Sequence, residues 1–196
     1  MTDMVLDDSK LDARGKWATQ YGLAFQKYVD EKLMESKLIV TNLGSRKISA
    51  HEYPEIRPWL DSLQQKEGFE IDRLIKYGKT IFVVSCKTSD FLYDRKVVRR
   101  DVIFSKKELE RRVTKNLQDV SEIQVITDCI RCCGKMQRKL NLSASKFVPV
   151  LVTSMEEPLS CAEVRSHYSK IANLPETQIL TVPKFIELIR KEENTS

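Results

Sequence analysis

The chain has 196 residues, of which 41% are hydrophobic and only 6 are glycine and 6 proline, so its apolar content suffices for one core and hardly for two. We therefore expect a single domain over residues 1–196. No run of eighteen apolar residues occurs and the first ten residues carry acids, so neither a membrane span nor a signal peptide is expected. Five cysteines, mostly within apolar segments, favour reduced thiols and a cytoplasmic location.

The formal net charge of +5 permits a polyanionic partner without requiring one. Its distribution is more informative, because residues 91–115 contain nine basic and four acidic side chains. This segment is the one basic stretch that stands out. It could be the solvated face of a loop and helix, or it could contact phosphates.

The first half of the chain begins with a helical pattern. Over residues 17–33 apolar side chains recur at three- and four-residue spacing, which predicts one buried helix face. Residues 38–41 predict a short strand before a turn. Residues 45–68 are polar, contain Pro54 and Pro58, and are expected to form an irregular insertion with at most one helical turn around residues 59–65.

Two strands follow, over residues 69–77 and 80–86, joined by Gly78 and Lys79. A glycine that opens so short a connection is typical of a β-hairpin. The second strand, residues 81–84, is apolar on both faces. Such a strand belongs in the middle of a covered sheet.

The second half of the chain alternates helices and strands. Ser105 and Glu108 have the spacing of a capping box and predict the start of a long helix, with a possible break near Ser121. Residues 146–153 predict a buried strand, 160–172 a helix, 178–182 a strand and 183–190 a last helix. The order predicts an α/β fold with a central mixed sheet flanked by helices.

The candidate chemistry lies on the hairpin, in Asp72 on its first strand and Ser85, Cys86 and Lys87 at the end of its second. Because side chains alternate along a strand, Ser85 and Lys87 share one face. Asp72 can reach that face if the register allows. A carboxylate that holds Mg²⁺ and a lysine that orients water are the groups that phosphodiester hydrolysis needs. An exposed ion pair without a catalytic role is the alternative.

The chain resembles the PD-(D/E)XK nuclease superfamily, the restriction-endonuclease-like fold, over most of its length. The resemblance rests on the opening helix around Gln26, on Asp72, on the apolar strand that ends in Ser85-Cys86-Lys87, and on the strands over residues 148–154 and 178–182. It implies a three-layer domain that acts on DNA with Mg²⁺. Asp72 and the Cys86 carbonyl would be metal ligands and Lys87 would position water.

Two positions depart from the family pattern. Ser85 stands where the family usually has a glutamate, and Gln26 stands where the opening helix usually offers an acid. Both changes remove negative charge from a cation site and predict weak Mg²⁺ binding. Some restriction enzymes of this superfamily take the missing carboxylate from the following helix region. Asp101 is the preferred replacement here, ahead of Glu108, Asp90 and Glu70.

Two functions are therefore expected as alternatives. The first is a Mg²⁺-dependent DNA endonuclease, and the second is a catalytically inactive nuclease-like subunit that binds DNA or has a structural role. Since many relatives are dimers, a homodimer is a further expected partner. The residues expected to contact DNA are basic and follow the motif lysine: Arg95, Lys96, Arg99, Arg100, Lys106 and Arg111.

The remaining metal-ligating residue types give weak signals. Cys129, Cys132 and Cys133 suggest a metal cluster, but Cys129 and Cys133 fall on the apolar stripe of the long helix and no second Cys-x-x-Cys occurs. They are interpreted as core residues. His51 and His167 are far apart in sequence and have no neighbouring ligands, so neither is assigned a role.

Overall fold

The computed structural model of this chain describes residues 8–38, 40–88, 106–142, 146–154, 157 and 178–193. Its helices are α1 (Asp8–Glu35), α2 (Arg57–Ser62), α3 (Lys106–Cys132), α4 (Gly134–Lys139) and α5 (Val182–Glu193), with one 3-10 turn at Pro54–Ile56. Its strands are β1 (Thr41–Asn42), β2 (Arg46–Ser49), β3 (Gly68–Ile71), β4 (Arg73–Tyr77), β5 (Thr80–Lys87), β6 (Lys146–Thr153) and β7 (Gln178–Thr181).

The main sheet has five strands in the order β1-β4-β5-β6-β7. The pairs β1–β4 and β4–β5 are antiparallel, whereas β5–β6 and β6–β7 are parallel, so the sheet is mixed. Strand β5 is central and its residues 80–84 are buried, as its apolar pattern predicted. The hairpin is confirmed as well, and Gly78 adopts the positive φ of 55° that a two-residue loop favours at its first position.

Helices cover the two faces of this sheet. On one face, Ile81 and Val83 of β5 pack in a cluster with Ile123, Ile126 and Ile130 of α3. On the other face, alternate β5 residues pack against α1 and α5, and this cluster contains Phe82, Val84, Phe25, Val29, Phe185 and Ile189. The chain is thus an α/β protein with a mixed sheet between helices.

The insertion at residues 45–68 is more ordered than its polar composition predicted. It contains β2, the 3-10 turn and α2, and β2 pairs with β3 in a second, two-stranded sheet. Its apolar residues Ile48, Ala50, Tyr53, Ile56 and Leu60 are buried in the α3-side cluster, and Trp59 and Leu63 are partly buried against it. Gly68 allows the close pairing, because a Cβ there would lie 2.0 Å from the Ile48 carbonyl oxygen.

The predicted strand over residues 69–77 is two strands. Residue Asp72 separates β3, which pairs with β2, from β4, which pairs with β5 in the main sheet. Composition alone could not reveal this division because both segments are apolar and alternate. The break places Asp72 where the chain passes from one sheet to the other.

The other differences concern element ends. Helix α1 begins at Asp8 rather than near residue 17, β1 covers only Thr41–Asn42, and α3 continues through Ser121 without a break. The helix predicted over residues 160–172 lies outside the described residues. Within the described part of the chain, no helix is long and apolar enough to cross a membrane.

Candidate functional site

The Asp72 carboxylate lies between α1 and the end of β5. Its Oδ1 accepts a hydrogen bond from Gln26 Nε2 at 2.9 Å. Its Oδ2 accepts two more, from Ser85 Oγ at 3.2 Å and from the Cys86 amide N–H at 2.7 Å. The structure therefore brings Asp72, Ser85 and Gln26 together as the motif pattern predicted, but through hydrogen bonds from uncharged donors.

An ion pair fixes the Gln26 side of this arrangement. Arg73 donates to both carboxylate oxygens of Asp30 through Nε, and from Nη2 to Asp30 Oδ2 at 2.8 Å. Its Nη1 donates to Gln26 Oε1 at 3.2 Å, so the Gln26 amide must turn its NH₂ group toward Asp72. The hydrogen bonds to Asp30 raise the pKa of Arg73. Asp30 was not predicted; its only sequence signal is its position one helical turn after Gln26.

The Cys86 side chain points to the opposite face from Ser85 and Lys87 and joins the core with α1 and α5. Burial raises the pKa of this thiol to about 12, and the negative charge of Asp72 acts in the same direction. The thiol is therefore neutral at physiological pH. The Cys86 atom that contacts Asp72 is the amide N–H, whereas the sequence had suggested a role for the carbonyl oxygen.

Lys87 has different partners from Asp72, although both belong to the predicted motif. Its Nζ lies 3.3 Å from Asp119 Oδ1 and 3.8 Å from Glu122 Oε2, both on α3. Burial acts to lower the pKa of Lys87, but Asp119 and Glu122 raise it more, and the net shift is upward. Lys87 is therefore charged and is oriented by the helix that follows it in sequence.

Helix α3 forms one wall of a narrow cleft at the end of β5. Arg111, Lys115 and Asp119 follow one another at four-residue spacing, so they form a row along the helix, and all three line this cleft together with Lys87. Arg111 is exposed and Lys115 partly exposed. Arg111 was expected at a nucleic-acid contact, whereas Lys115 and Asp119 were missed as site residues.

A second row of α3, one residue on, is buried behind the first. Arg112 Nη1 lies 3.3 Å from Glu157 Oε2, and both side chains are less than a tenth exposed. Asn116 Nδ2 donates to the same carboxylate oxygen at 3.4 Å. Among the residues that the structure describes, the cleft lining includes four basic residues (Lys87, Arg111, Arg112, Lys115) and two acidic ones (Asp119, Glu157).

The residues around Asp72 do not fit the Mg²⁺ ion that the family resemblance implies. Asp72 Oδ2 already accepts two hydrogen bonds, and the Gln26 oxygen accepts from Arg73. A hard dication prefers several carboxylate or carbonyl oxygens that are free to coordinate it. In the part of the chain that the structure describes, no group of three or more His, Cys, Asp and Glu side chains could hold a metal ion.

Several predicted site residues lie outside the described segments. These are Asp101, Arg95, Lys96, Arg99 and Arg100, together with the alternative acid Asp90. Lys106 and Glu108 lie in the first turn of α3, and Glu70 is exposed on β3. Among the described residues, the acids that lie next to the motif lysine are Asp119 and, farther away, Glu122, both on the helix that follows it.

The core interpretation is confirmed for Cys129 and Cys133 and is wrong for Cys132. Cys129 and Cys133 are buried in the α3-side cluster, Cys132 is exposed, and all of these thiols are free. Burial raises the pKa of Cys129 to about 12. The Cys133 thiol donates to Glu55 Oε1 at 3.4 Å, so its partner is a carboxylate of the 45–68 insertion.

Comparison of the chain with protein-family models, with curated proteins and with solved structures finds no significant match. The described residues define an α/β protein with a five-stranded mixed sheet and helices on both faces. A cleft whose described lining has more basic than acidic residues lies at the carboxyl ends of β5 and β6.

Proposed function

We propose that this chain binds DNA in the cleft between the end of β5 and α3, on a restriction-endonuclease-like scaffold. The observation that carries the proposal is the row of Arg111 and Lys115 on α3, which lines the same cleft as Lys87. Phosphate groups are recognised by such clusters of lysine and arginine. Ligands of open α/β sheets also bind outside the carboxyl ends of the strands, where this cleft lies.

The charge balance of the cleft supports an anionic ligand. Among the described residues that line the cleft, four are basic and two are acidic, and the acidic ones, Glu157 and Asp119, lie beside Arg112 and Lys87. The sequence adds to this excess, because six further basic residues occur between residues 95 and 107, immediately before α3 and within its first turn.

The test is a binding titration with a fluorescently labelled duplex, followed by anisotropy at several salt concentrations. In the variant with Arg111→Gln and Lys115→Gln, affinity should fall about tenfold or more, and the slope of log affinity against log salt should become shallower by about 1.8 if each cation neutralises one phosphate. The matched control carries Arg57→Gln and Lys66→Gln, two exposed cations of the 45–68 insertion. Equal affinity and slope in both double variants would contradict the proposal.

Phosphodiester hydrolysis is a second candidate function. It is favoured by the 3.3 Å contact of Lys87 with Asp119, which puts a carboxylate of α3 beside the motif lysine in the cleft. On this hypothesis Asp119, rather than Asp101, is the acid that compensates for Ser85. The hypothesis requires a change in the contacts of Asp72 when substrate binds, since its oxygens are occupied.

A cleavage assay separates this candidate from binding alone. Supercoiled, linear and single-stranded DNA are incubated with Mg²⁺, with Mn²⁺ and with chelator. If the chain hydrolyses DNA, Asp119→Asn and Lys87→Met should abolish cleavage. The control Asp128→Asn, at an exposed acid farther along α3, should retain it. DNA binding without cleavage under every condition would rule out hydrolysis and retain DNA binding as the function.

A further inference from the structure

The guanidinium group of Arg73 lies among oxygen atoms that separate parts of the chain supply. Its Nε and Nη2 donate to the two carboxylate oxygens of Asp30 at distances from 2.8 to 3.1 Å, and its Nη1 donates to Gln26 Oε1 at 3.2 Å. Nη1 also donates to the backbone carbonyl oxygen of Asp72. Asn42 Nδ2 donates to Asp30 Oδ1 at 2.7 Å and helps to fix that carboxylate. Arg73 therefore joins α1 to the segment where β3 passes into β4.

These oxygen atoms are of the kinds that a divalent metal ion binds. The oxygen cluster consists of Asp30 Oδ1 and Oδ2, Gln26 Oε1 and the Asp72 carbonyl oxygen, and Ca²⁺, Mg²⁺ and Mn²⁺ prefer such carboxylate and carbonyl ligands. The side chain of Arg73 is only 12% exposed and that of Asp30 is 28% exposed. A carboxylate that is largely removed from water requires a cation as its partner, and here that partner is Arg73.

We propose that Arg73 is a built-in cation that occupies this oxygen cluster in place of a divalent metal ion. A guanidinium group is permanently charged and planar, so it neutralises Asp30 and accounts for every oxygen of the cluster. The attachment of α1 to β4 is therefore independent of divalent ions. The proposal goes beyond nucleic-acid binding and does not depend on it, because none of these groups lines the cleft beside α3.

The variant Arg73→Ala tests the proposal, because it removes the guanidinium group and leaves room for an ion with its water. It should bind one more Mn²⁺ than the native chain, with a dissociation constant of about 1 mM, as in weak sites made of oxygen ligands. Titration with Mn²⁺, with the free ion measured by electron paramagnetic resonance, gives both the number of ions and the constant. Adding Asp30→Asn to this variant should weaken the new site about tenfold or more, because the cluster loses its carboxylate.

Two single variants serve as controls. Arg73→Lys retains a positive charge at the cluster and should bind no more Mn²⁺ than the native chain. Arg57→Ala removes an exposed arginine of the 45–68 insertion and should also leave Mn²⁺ binding unchanged. Together they separate the loss of this particular cation from the loss of any positive charge.

Two results would overturn the proposal: a Mn²⁺ site in the native chain that Asp30→Asn removes, or a folded Arg73→Ala variant that binds no additional ion. Should Arg73→Ala be unfolded in chelator, recovery of its folded circular dichroism spectrum in Mn²⁺ would support the proposal, and failure in both solutions would overturn it. DNA affinity is measured separately, so the function proposed above is retained or lost independently of these results.

Discussion

The surroundings of Asp72 and of Lys87 differ although the two residues belong to one sequence motif. Asp72 accepts hydrogen bonds from Gln26, Ser85 and the Cys86 amide, all uncharged. Lys87, 37% exposed, pairs with acids of α3 and lines the cleft. The first environment supplies a carboxylate with three internal hydrogen bonds, and the second leaves a charged group partly exposed to solvent.

This difference separates stability from binding between Asp72, which lies between β3 and β4, and Lys87 at the end of β5. Saturated hydrogen bonds to a partly buried carboxylate hold α1 to the hairpin, because removing the acceptor leaves several donors unpaired. An ion pair that is partly exposed contributes little to stability, but its charge acts on ligands in the cleft. Variants on the two sides should therefore change different quantities.

The largest effect is expected at Asp72. Replacing it by alanine leaves the Gln26 amide, the Ser85 hydroxyl and the Cys86 N–H without their acceptor, and should lower the free energy of unfolding by about 3 kcal/mol. Urea unfolding measures this. The control is Asp128→Ala, which removes an exposed pair with Arg131 and should cost less than about 1 kcal/mol. Similar losses in both variants would contradict a structural role for Asp72.

The next effect depends on pH and tests the burial of Cys86 beside Asp72. The pKa of this thiol is about 12 in the folded chain against 9.0 unfolded, so between these values only the unfolded state loses the proton. Stability from this group is complete below pH 9 and falls as pH rises, by up to about 1.4 kcal/mol per pH unit. When the free energy of unfolding is measured from pH 8 to 11, it should decline less for Cys86→Ala than for the native chain.

The control for that series is Cys132→Ala, because this thiol is exposed on α3. Its decline with pH should match that of the native chain. If Cys86→Ala and Cys132→Ala give the same pH dependence, the Cys86 thiol is not sequestered in the way the structure describes.

The smallest effect on stability is expected at Lys87. Lys87→Met keeps the aliphatic stem and removes a partly exposed charge, so the free energy of unfolding should change by less than about 1 kcal/mol. DNA affinity should nevertheless fall, since the cleft loses one of its cations. Unfolding and anisotropy on the same preparation measure both quantities. A large loss of stability with unchanged affinity would reverse the comparison between the two sites.

Much of the architecture could be predicted from local patterns. The two-face apolar pattern of residues 81–84 identified the central strand, and Gly78 identified the hairpin. The apolar spacing over residues 17–33 identified the buried face of α1 at Phe25, Val29 and Leu33, although Tyr21, Ala24 and Tyr28 of the same pattern are exposed. These signals are reliable because each reports the burial of one short segment. The pairing of β2 with β3 was missed, since it depends on residues about twenty positions apart that carry no local signature.

The candidate site shows the same limit. Alternation along β5 correctly put Ser85 and Lys87 on one face and Cys86 on the other. It could not show that β3 ends before Asp72, that Arg73, paired with Asp30, donates to the Gln26 amide oxygen, or that Asp119 lies beside Lys87. Each of these features depends on the packing of elements that are distant in sequence.

By itself, the sequence determined the main helices α1, α3 and α5, the β4–β5 hairpin, the central position of β5, and the presence of an acid and a lysine in the segment that forms this hairpin. Only the tertiary structure decided that Asp72 is held by α1 and Lys87 by α3. The physical reason is that the sequence pattern reports burial within one element, whereas contacts between elements depend on how distant segments pack together. Side-chain periodicity is set by burial within one element, whereas the choice of partner, such as Gln26 for Asp72 across 46 residues, is made when whole layers pack.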